Sequence, residues 1–293
     1  MKTQDLITPH LDLIELRLHE IIPAIDAPHS LLFEAARYSL LLPAKRFRPL
    51  LLLAVLDDFD CPLEWGIDPA CALEMVHTYS LIHDDLPCMD DDELRRGKPT
   101  LHKVYDEAQA ILTGDYLLTY AFEVLANAPH LSAEKKLSLT RLLSSRAGGD
   151  GMIGGQVIDI LYEGKSIDSE TLKLMFSKKT AALLAVSLEF GAVIANLNTE
   201  DQKHLQKAGI ALGVGYQYID DLLDATGDEK DLGKPVGSDV YNEKASSLTL
   251  YSEQETRDKA HACFSEALAE LALLSRPAPQ ILALFKKCFH RTK

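Results

Sequence analysis

The sequence predicts an all-α protein, and three observations carry that prediction. Apolar residues recur three and four positions apart through most of the chain, which lays them along one face of a helix. Leucine and alanine are common, and few segments show the apolar-polar alternation of a half-buried strand. Breaks carrying Gly, Pro and polar residues fall at 60–69, 87–99, 127–133, 163–169 and 227–239. None has the length or low complexity of an interdomain linker, so a single domain over 1–293 is expected.

Taken in order, the first clear helix spans 30–42. The second, 47–58, holds the longest apolar run, Leu50 to Leu56, far short of the roughly 20 residues that cross a bilayer. The third, 68–86, ends or bends at Pro87, which has no amide proton to donate. Segments 104–127 and 133–147 follow, and 178–196 comes after the break at 163–169. The segment 200–224 carries the best start signal, Thr199 with Gln202 at capping-box spacing, ahead of Leu205, Ala208, Leu212, Tyr216 and Ile219. Segments 252–274 and 278–290 complete the set.

With 293 residues and 47% hydrophobic content the chain can bury a substantial core. A formal charge of −14 disfavours nucleic acid and anionic membranes as partners, because both demand net positive patches. The five cysteines are odd in number and show no CxxC spacing, which argues against a disulfide framework or a zinc site and fits a reducing cytoplasm. Residues 1–20 mix apolar with charged side chains and contain no signal-peptide apolar region.

The chemistry concentrates in "LIHDDLPCMDDDELRRG", residues 81–97, where Asp84, Asp85, Asp90, Asp91, Asp92 and Glu93 gather within ten positions. Adjacent carboxylates repel unless a cation or water separates them. Beyond Pro87 the chain can fold Asp90 back toward Asp84. A second cluster, Asp220-Asp221-Leu222-Leu223-Asp224, closes the capped helix, and Asp220 and Asp224, four apart, share its face. Both offer hard oxygen ligands without histidine or cysteine, a set suited to magnesium and lacking the central glycine of a calcium loop. Both also follow apolar helical segments, as carboxylates at the mouth of a buried cavity do.

The cations are grouped as well. Arg95 and Arg96 follow the first cluster, Lys178 and Lys179 precede Thr180, and Lys230 and Lys234 lie in the glycine-bearing "GDEKDLGKPVGSD". Glycine lets backbone amides approach a phosphate, and lysine supplies a mobile charge. Lys45, Arg46 and Arg48 stand at the start of a helix, where positive charge opposes the dipole unless an anion intervenes. Two carboxylate-metal sites with two basic groups fit two phosphorylated substrates.

"DDLPCMD", "GGQVID", "SKKT" and "DDLLD" resemble the trans-isoprenyl diphosphate synthases, specifically the bacterial-type farnesyl diphosphate synthase group, from about residue 30 to the C-terminal "RTK". The resemblance implies an isoprenoid-synthase helical bundle around a deep central cavity, a homodimer, and condensation of isopentenyl diphosphate with an allylic diphosphate. It implies that Asp84, Asp90 and Asp220 ligate three magnesium ions, with Asp85, Asp221 and Asp224 in support. Arg95, Lys179 and Lys234 would hold the allylic diphosphate. Lys45, Arg48, His77 and Arg96 resemble the isopentenyl diphosphate pocket. Thr180 and Gln217 would place neutral oxygens near the allylic carbon.

Tyr79 and Ser80 lie five and four residues before Asp84, about one turn deeper along the helix. An aromatic there, with this longer first motif, resembles the fifteen-carbon producers, so farnesyl diphosphate is expected and geranyl or geranylgeranyl diphosphate is the alternative. A non-catalytic, partner-binding subunit is the alternative of another class, disfavoured because both acidic motifs are intact. The chain departs from the family at Pro43-Ala44, at Tyr216 and at Glu243-Lys244-Ala245-Ser246-Ser247, where Gly-Lys-x-Thr-Tyr-Pro is usual.

Overall fold

The computed structural model describes residues 4–226 and 244–289, which fall into two compact units, the first formed by 4–53 and 62–140, the second by 54–61, 141–226 and 244–289. Helices dominate both, as the periodicity predicts.

The first unit contains α1 (Gln4–Ile21), α2 (Ser30–Leu40), the start of α3 (Phe47–Asp58), α4 (Ile67–Asp84), the one-turn α5 (Leu101–Val104), α6 (Glu107–Asn127) and the start of α7 (Ala133–Ala147). Its axis is α4, which packs along α6 and receives α1 and α2. Every residue of α4 from Pro69 to Val76 is buried, so this helix is covered all round and any charge on it needs a partner within the protein. That charge is Glu74. The apolar run of α3 is buried throughout. Asp106 caps α6 by accepting from the Gln109 amide at 2.6 Å.

The second unit adds α8 (Met152–Tyr162), α9 (Ser169–Phe176), a π-turn at Ser177–Ala181, α10 (Ala182–Ile194), α11 (Thr199–Thr226), α12 (Glu253–Ala272) and α13 (Pro279–Phe289). Helix α11 lies between α10 and α12. It can approach α10 closely because Gly209 and Gly213 face Ala185 and Ala181; a Cβ on Gly213 would stand 2.3 Å from the Ala181 Cα. Ser252 and Glu255 form a reciprocal capping box at the start of α12. The first turn of α13 is capped from far away: Asp58 accepts from the Gln280 and Ile281 amides, both at 2.9 Å.

Four features differ from the expected pattern. Helices α1, α8 and α9 fall outside the predicted segments; α9 is only eight residues long, and α8 carries Gly154 and Gly155 in its first turn, which lower its intrinsic propensity. The break at 87–99 contains a small antiparallel hairpin pairing Leu94 with Pro99 and Arg95 with Lys98. The cap of α11 is Asn198 rather than Thr199: its side chain accepts from the Asp201 amide at 2.9 Å and donates to the Asp201 carboxylate at 2.7 Å. The predicted 178–196 segment begins in the π-turn. No helix among the described residues is long and apolar enough to cross a membrane.

Candidate active site

In the first unit the site grows from the end of α4. Asp84 is its last residue and Asp85 its cap, after which the chain turns sharply. The Leu86 amide bonds to the His83 carbonyl, the Met89 amide to the Leu86 carbonyl, and the Asp90 amide to the Asp84 carbonyl at 2.8 Å. Asp90 is therefore returned to Asp84, as the Pro87 break implied. Asp91 takes a positive φ of 50° to complete the turn.

The hairpin then brings Arg95 back across the cap. Its two-residue loop, Arg96 and Gly97, has φ of 54° and 73°, the left-handed pair that a tight hairpin uses. Arg95 Nε donates to Asp85 at 2.9 Å, its Nη2 contacts the same carboxylate, and Nη2 also meets Asp92 at 2.8 Å. Thr100 fastens the far strand by donating to the Asp92 carbonyl at 2.8 Å. Burial pushes the Asp85 carboxyl up to about 6, with Arg95 pulling against it.

The basic group before α3 divides. Lys45 is exposed and Arg48 half-buried, whereas Arg46 is 1% exposed and internal. Arg46 donates to Glu15 at 2.8 Å, to Glu74 at 2.7 Å and to the Leu40 carbonyl at 2.8 Å. The anion expected near this group is thus supplied, for Arg46, by the protein's own glutamates. Glu74 also lies 3.7 Å from Arg96. His77 is held neutral, its pKa driven well below the usual value by burial and then by Arg48, Arg96, Arg95 and Arg46. A small cleft opens beside this group, lined in part by Tyr38, Thr78, Ile82, Asp85, Arg95 and Arg96.

Tyr79 is buried, its hydroxyl without a hydrogen-bond partner, and burial aided by Asp84 raises its pKa to about 12. Its ring meets the His83 ring edge-on at 5.8 Å. Ser80 is half-buried and donates to the His77 carbonyl at 2.9 Å. His83 Nε2 lies 3.1 Å from the Ile111 carbonyl, so this histidine is spent on helix packing beside Asp84.

The second unit carries the remaining groups on α8, the π-turn and α11. A π-turn widens the helix by one residue and re-aims the side chains within it; here these are Lys178, Lys179 and Thr180. Gly155 makes room for that turn, since a Cβ on it would lie 2.1 Å from the Lys179 backbone nitrogen. One helical turn further on, Asp159 accepts from Lys179 Nζ at 2.5 Å. "GGQVID" thereby gains a physical reading: its second glycine admits the lysine backbone and its aspartate holds the lysine head. Sequence reasoning does not single out Asp159, although its spacing of four from Gly155 is the available signal.

Thr180 donates to Gln217 at 2.7 Å, Gln217 donates to Asp221 at 3.0 Å, and the Ser247 amide donates to Asp221 at 2.6 Å. Asp221 and Asp224 are buried and Asp220 half-buried in the last turns of α11. Lys230 and Lys234 lie outside the described residues. Among the described residues no three acidic, histidine or cysteine side chains form a tight metal cage. Oxygen-only donors in ones and twos fit magnesium, which keeps several waters and shares its shell with substrate phosphates.

The polyprenyl synthetase family pattern matches residues 29–274. A farnesyl diphosphate synthase of Bacillus subtilis (strain 168) is 44% identical over 256 residues, covering 87% of this chain and 86% of that protein. A chloroplastic geranylgeranyl pyrophosphate synthase of Catharanthus roseus is 41% identical over 241 residues, covering 82% of this chain and 68% of that protein. The crystal structure of a Helicobacter pylori geranyltransferase complexed with magnesium and isoprenyl diphosphate superposes with a TM-score of 0.87 at 34% identity, covering 98% of this chain and 96% of that one. With the family match running over most of its length, the chain belongs to the polyprenyl synthetase family.

Proposed function

We infer that this prenyltransferase condenses isopentenyl diphosphate with dimethylallyl and then geranyl diphosphate, giving (2E,6E)-farnesyl diphosphate and diphosphate. The observation that carries the site assignment is the turn pinning Asp90 to Asp84 at 2.8 Å, which gathers oxygen ligands at one helix end beside an arginine-rich pocket. In this reading Asp84, Asp90 and Asp220 ligate magnesium, three ions in all, and Asp85, Asp221 and Asp224 support them. Bound magnesium supplies positive charge against the negative charge that develops on a departing diphosphate.

The protein's own groups do the rest. Arg95, Lys179 and Lys234 hold the allylic diphosphate, and Lys45, Arg48, His77 and Arg96 hold the isopentenyl diphosphate. His77, kept neutral, can donate a hydrogen bond there without adding charge to its arginine neighbours. Thr180 and Gln217 turn preorganised oxygen dipoles toward the carbon that becomes positive, a form of electrostatic stabilisation that requires no reorganisation during the reaction. Apolar surroundings exclude the water that would quench an allylic cation. The proton lost at the end passes to the released diphosphate, so no dedicated protein base is required. Tyr79, with Ser80 beside it, limits chain length by placing a phenol ring where the product would extend. The reading includes a single polyprenyl synthetase domain over 1–293, a cytoplasmic homodimer, and no nucleic-acid or membrane partner.

The test is incubation of purified protein with isopentenyl and dimethylallyl diphosphates and magnesium, followed by chromatography of the dephosphorylated products. Fifteen-carbon product that disappears with chelator is expected. Accumulation of ten- or twenty-carbon product would overturn the chain-length assignment, and no condensation at all would overturn the activity.

A further inference from the structure

We propose that Asp221 is a positioning residue rather than a metal ligand: it fixes which way round the Gln217 amide sits and ties that amide to the backbone at Ser247. The inference rests on the reading of Thr180 and Gln217 as the oxygens that face the allylic carbon. All four residues belong to the second unit.

Both carboxylate oxygens of Asp221 are already engaged. Oδ1 accepts from Gln217 Nε2 at 3.0 Å and Oδ2 accepts from the Ser247 amide at 2.6 Å, in a setting where Asp221 is 4% exposed and Ser247 fully buried. A carboxylate receiving two N–H groups can only accept, so the amide of Gln217 must turn its NH₂ toward Asp221 and its oxygen toward Thr180. Thr180 then has one role left in that bond, as donor, and the 2.7 Å contact from its hydroxyl to Gln217 Oε1 agrees.

The consequence is electrostatic. With its proton committed to Gln217, Thr180 presents only lone pairs to a developing cation. A reversed amide would donate to Thr180 and free the hydroxyl proton to point the opposite way, placing the positive end of the dipole against positive charge. Hydrogen bonds in series polarise one another in a low-dielectric interior, so the carboxylate at the end of the series adds electron density at Thr180 Oγ1. The Ser247 anchor uses a backbone N–H, which every residue except proline supplies. The departure from the family pattern at this position therefore leaves the anchor in place.

The assignment is tested with Asp221→Asn, Asp220→Asn, Gln217→Ala and the Asp221→Asn/Gln217→Ala double variant. The readouts are kcat, KM for geranyl diphosphate, and the magnesium dependence of the melting temperature in the presence of inorganic diphosphate. Asp221→Asn is expected to lower kcat by about 10- to 100-fold, the usual cost of removing a group that orients a ligand, while its magnesium response matches the wild type. Asp220→Asn is expected to weaken that magnesium response. The double variant should be no slower than the slower single one, because Asp221 acts through Gln217. A magnesium response weakened in Asp221→Asn as much as in Asp220→Asn, or single effects that multiply, would overturn the proposal. If Asp221→Asn does not fold, hydrogen exchange of the wild-type peptide 245–249 decides: slow exchange supports the anchor and rapid exchange refutes it. A wild type that performs no condensation would sink the function reading and this assignment with it, whereas an active wild type with the wrong variant pattern sinks this assignment alone.

Discussion

Replacing Arg46 by Met tests whether the buried ion group of Arg46 with Glu15 and Glu74 holds the first unit together. The two side chains are similar in length, and both carry a Cβ, so the positive φ of 45° at this position strains them alike. What changes is charge. Glu74, 1% exposed, would lose its 2.7 Å partner and keep only Arg96 at 3.7 Å. Breaking a buried pair by removing one member costs about 3–5 kcal/mol, since the remaining charge is left in a poor solvent. Glu15 is a third exposed and can rehydrate, so it adds little. The Leu40 carbonyl loses a charged donor at 2.8 Å. A total near 4 kcal/mol follows, which lowers a melting midpoint by of order 10 °C for a chain of this size. Urea unfolding followed by circular dichroism measures it. The double variant Arg46→Met/Glu74→Met should recover most of the loss, because no charge is then stranded. A loss below about 1 kcal/mol for Arg46→Met, the value of an ordinary surface pair, would refute the reasoning, as would a double variant less stable than the single. In the surviving folded fraction Glu74 should turn toward Arg96 and raise KM for isopentenyl diphosphate.

Three further outcomes are expected. Tyr79→Ala removes the ring beside His83 and should shift the product to longer chains by chromatography; an unchanged fifteen-carbon profile would show that Tyr79 is not the wall. Gly155→Ala drives a Cβ to 2.1 Å from backbone at Lys179, so it should cost about 1–3 kcal/mol in thermal unfolding and raise KM for the allylic diphosphate; a variant indistinguishable from wild type would refute the close approach. Asp58 sits buried at the start of α13, and burial raises its pKa to about 6, well above that of an ordinary aspartate. A carboxyl whose folded pKa is raised binds its proton more tightly when folded, so its contribution is full below about pH 4 and is lost as pH climbs through 6. The stability advantage of wild type over Asp58→Asn should therefore shrink by up to about 3 kcal/mol between pH 4 and 7 in urea titrations; a constant difference would refute the shift.

What could be read from sequence was whatever is encoded within a few residues. The return of Asp90 to Asp84 follows from a helix end and one proline, and the pairing of Asp220 with Asp224 on one face follows from helical spacing. What escaped depends on partners far along the chain. Arg46 meets Glu15 and Glu74 across separations of 31 and 28 residues, and Asp58 caps a helix 222 residues away. No local pattern reports such partners. Helix α8 escapes a sequence reading because its glycines argue against a helix, yet Gly155 is there for packing: tertiary contact with the Lys179 backbone overrides propensity. The π-turn has no residue code of its own, and only the structure shows that "SKKT" sits in one.

An acidic protein that takes anionic substrates must keep its cations from being spread over its own carboxylates at random. Among the described residues, three of the proposed site cations have acidic partners. Arg95 rests on Asp85 and Asp92, Lys179 on Asp159, and Arg96 lies 3.7 Å from Glu74, whose main partner is Arg46. These pairings hold each cation in one orientation, which reduces the side-chain entropy lost when a phosphate arrives. In the site proposed for the allylic diphosphate, a diphosphate oxygen would take a place on Arg95 or Lys179 that a carboxylate oxygen now holds, so the cation would keep an anionic partner throughout. A neutral ligand of the same shape could not make that exchange without leaving a half-buried guanidinium or ammonium without an anionic partner. If Arg95 and Lys179 hold the allylic diphosphate as proposed, their acidic neighbours belong to the selectivity of that site for diphosphates as much as the cations do.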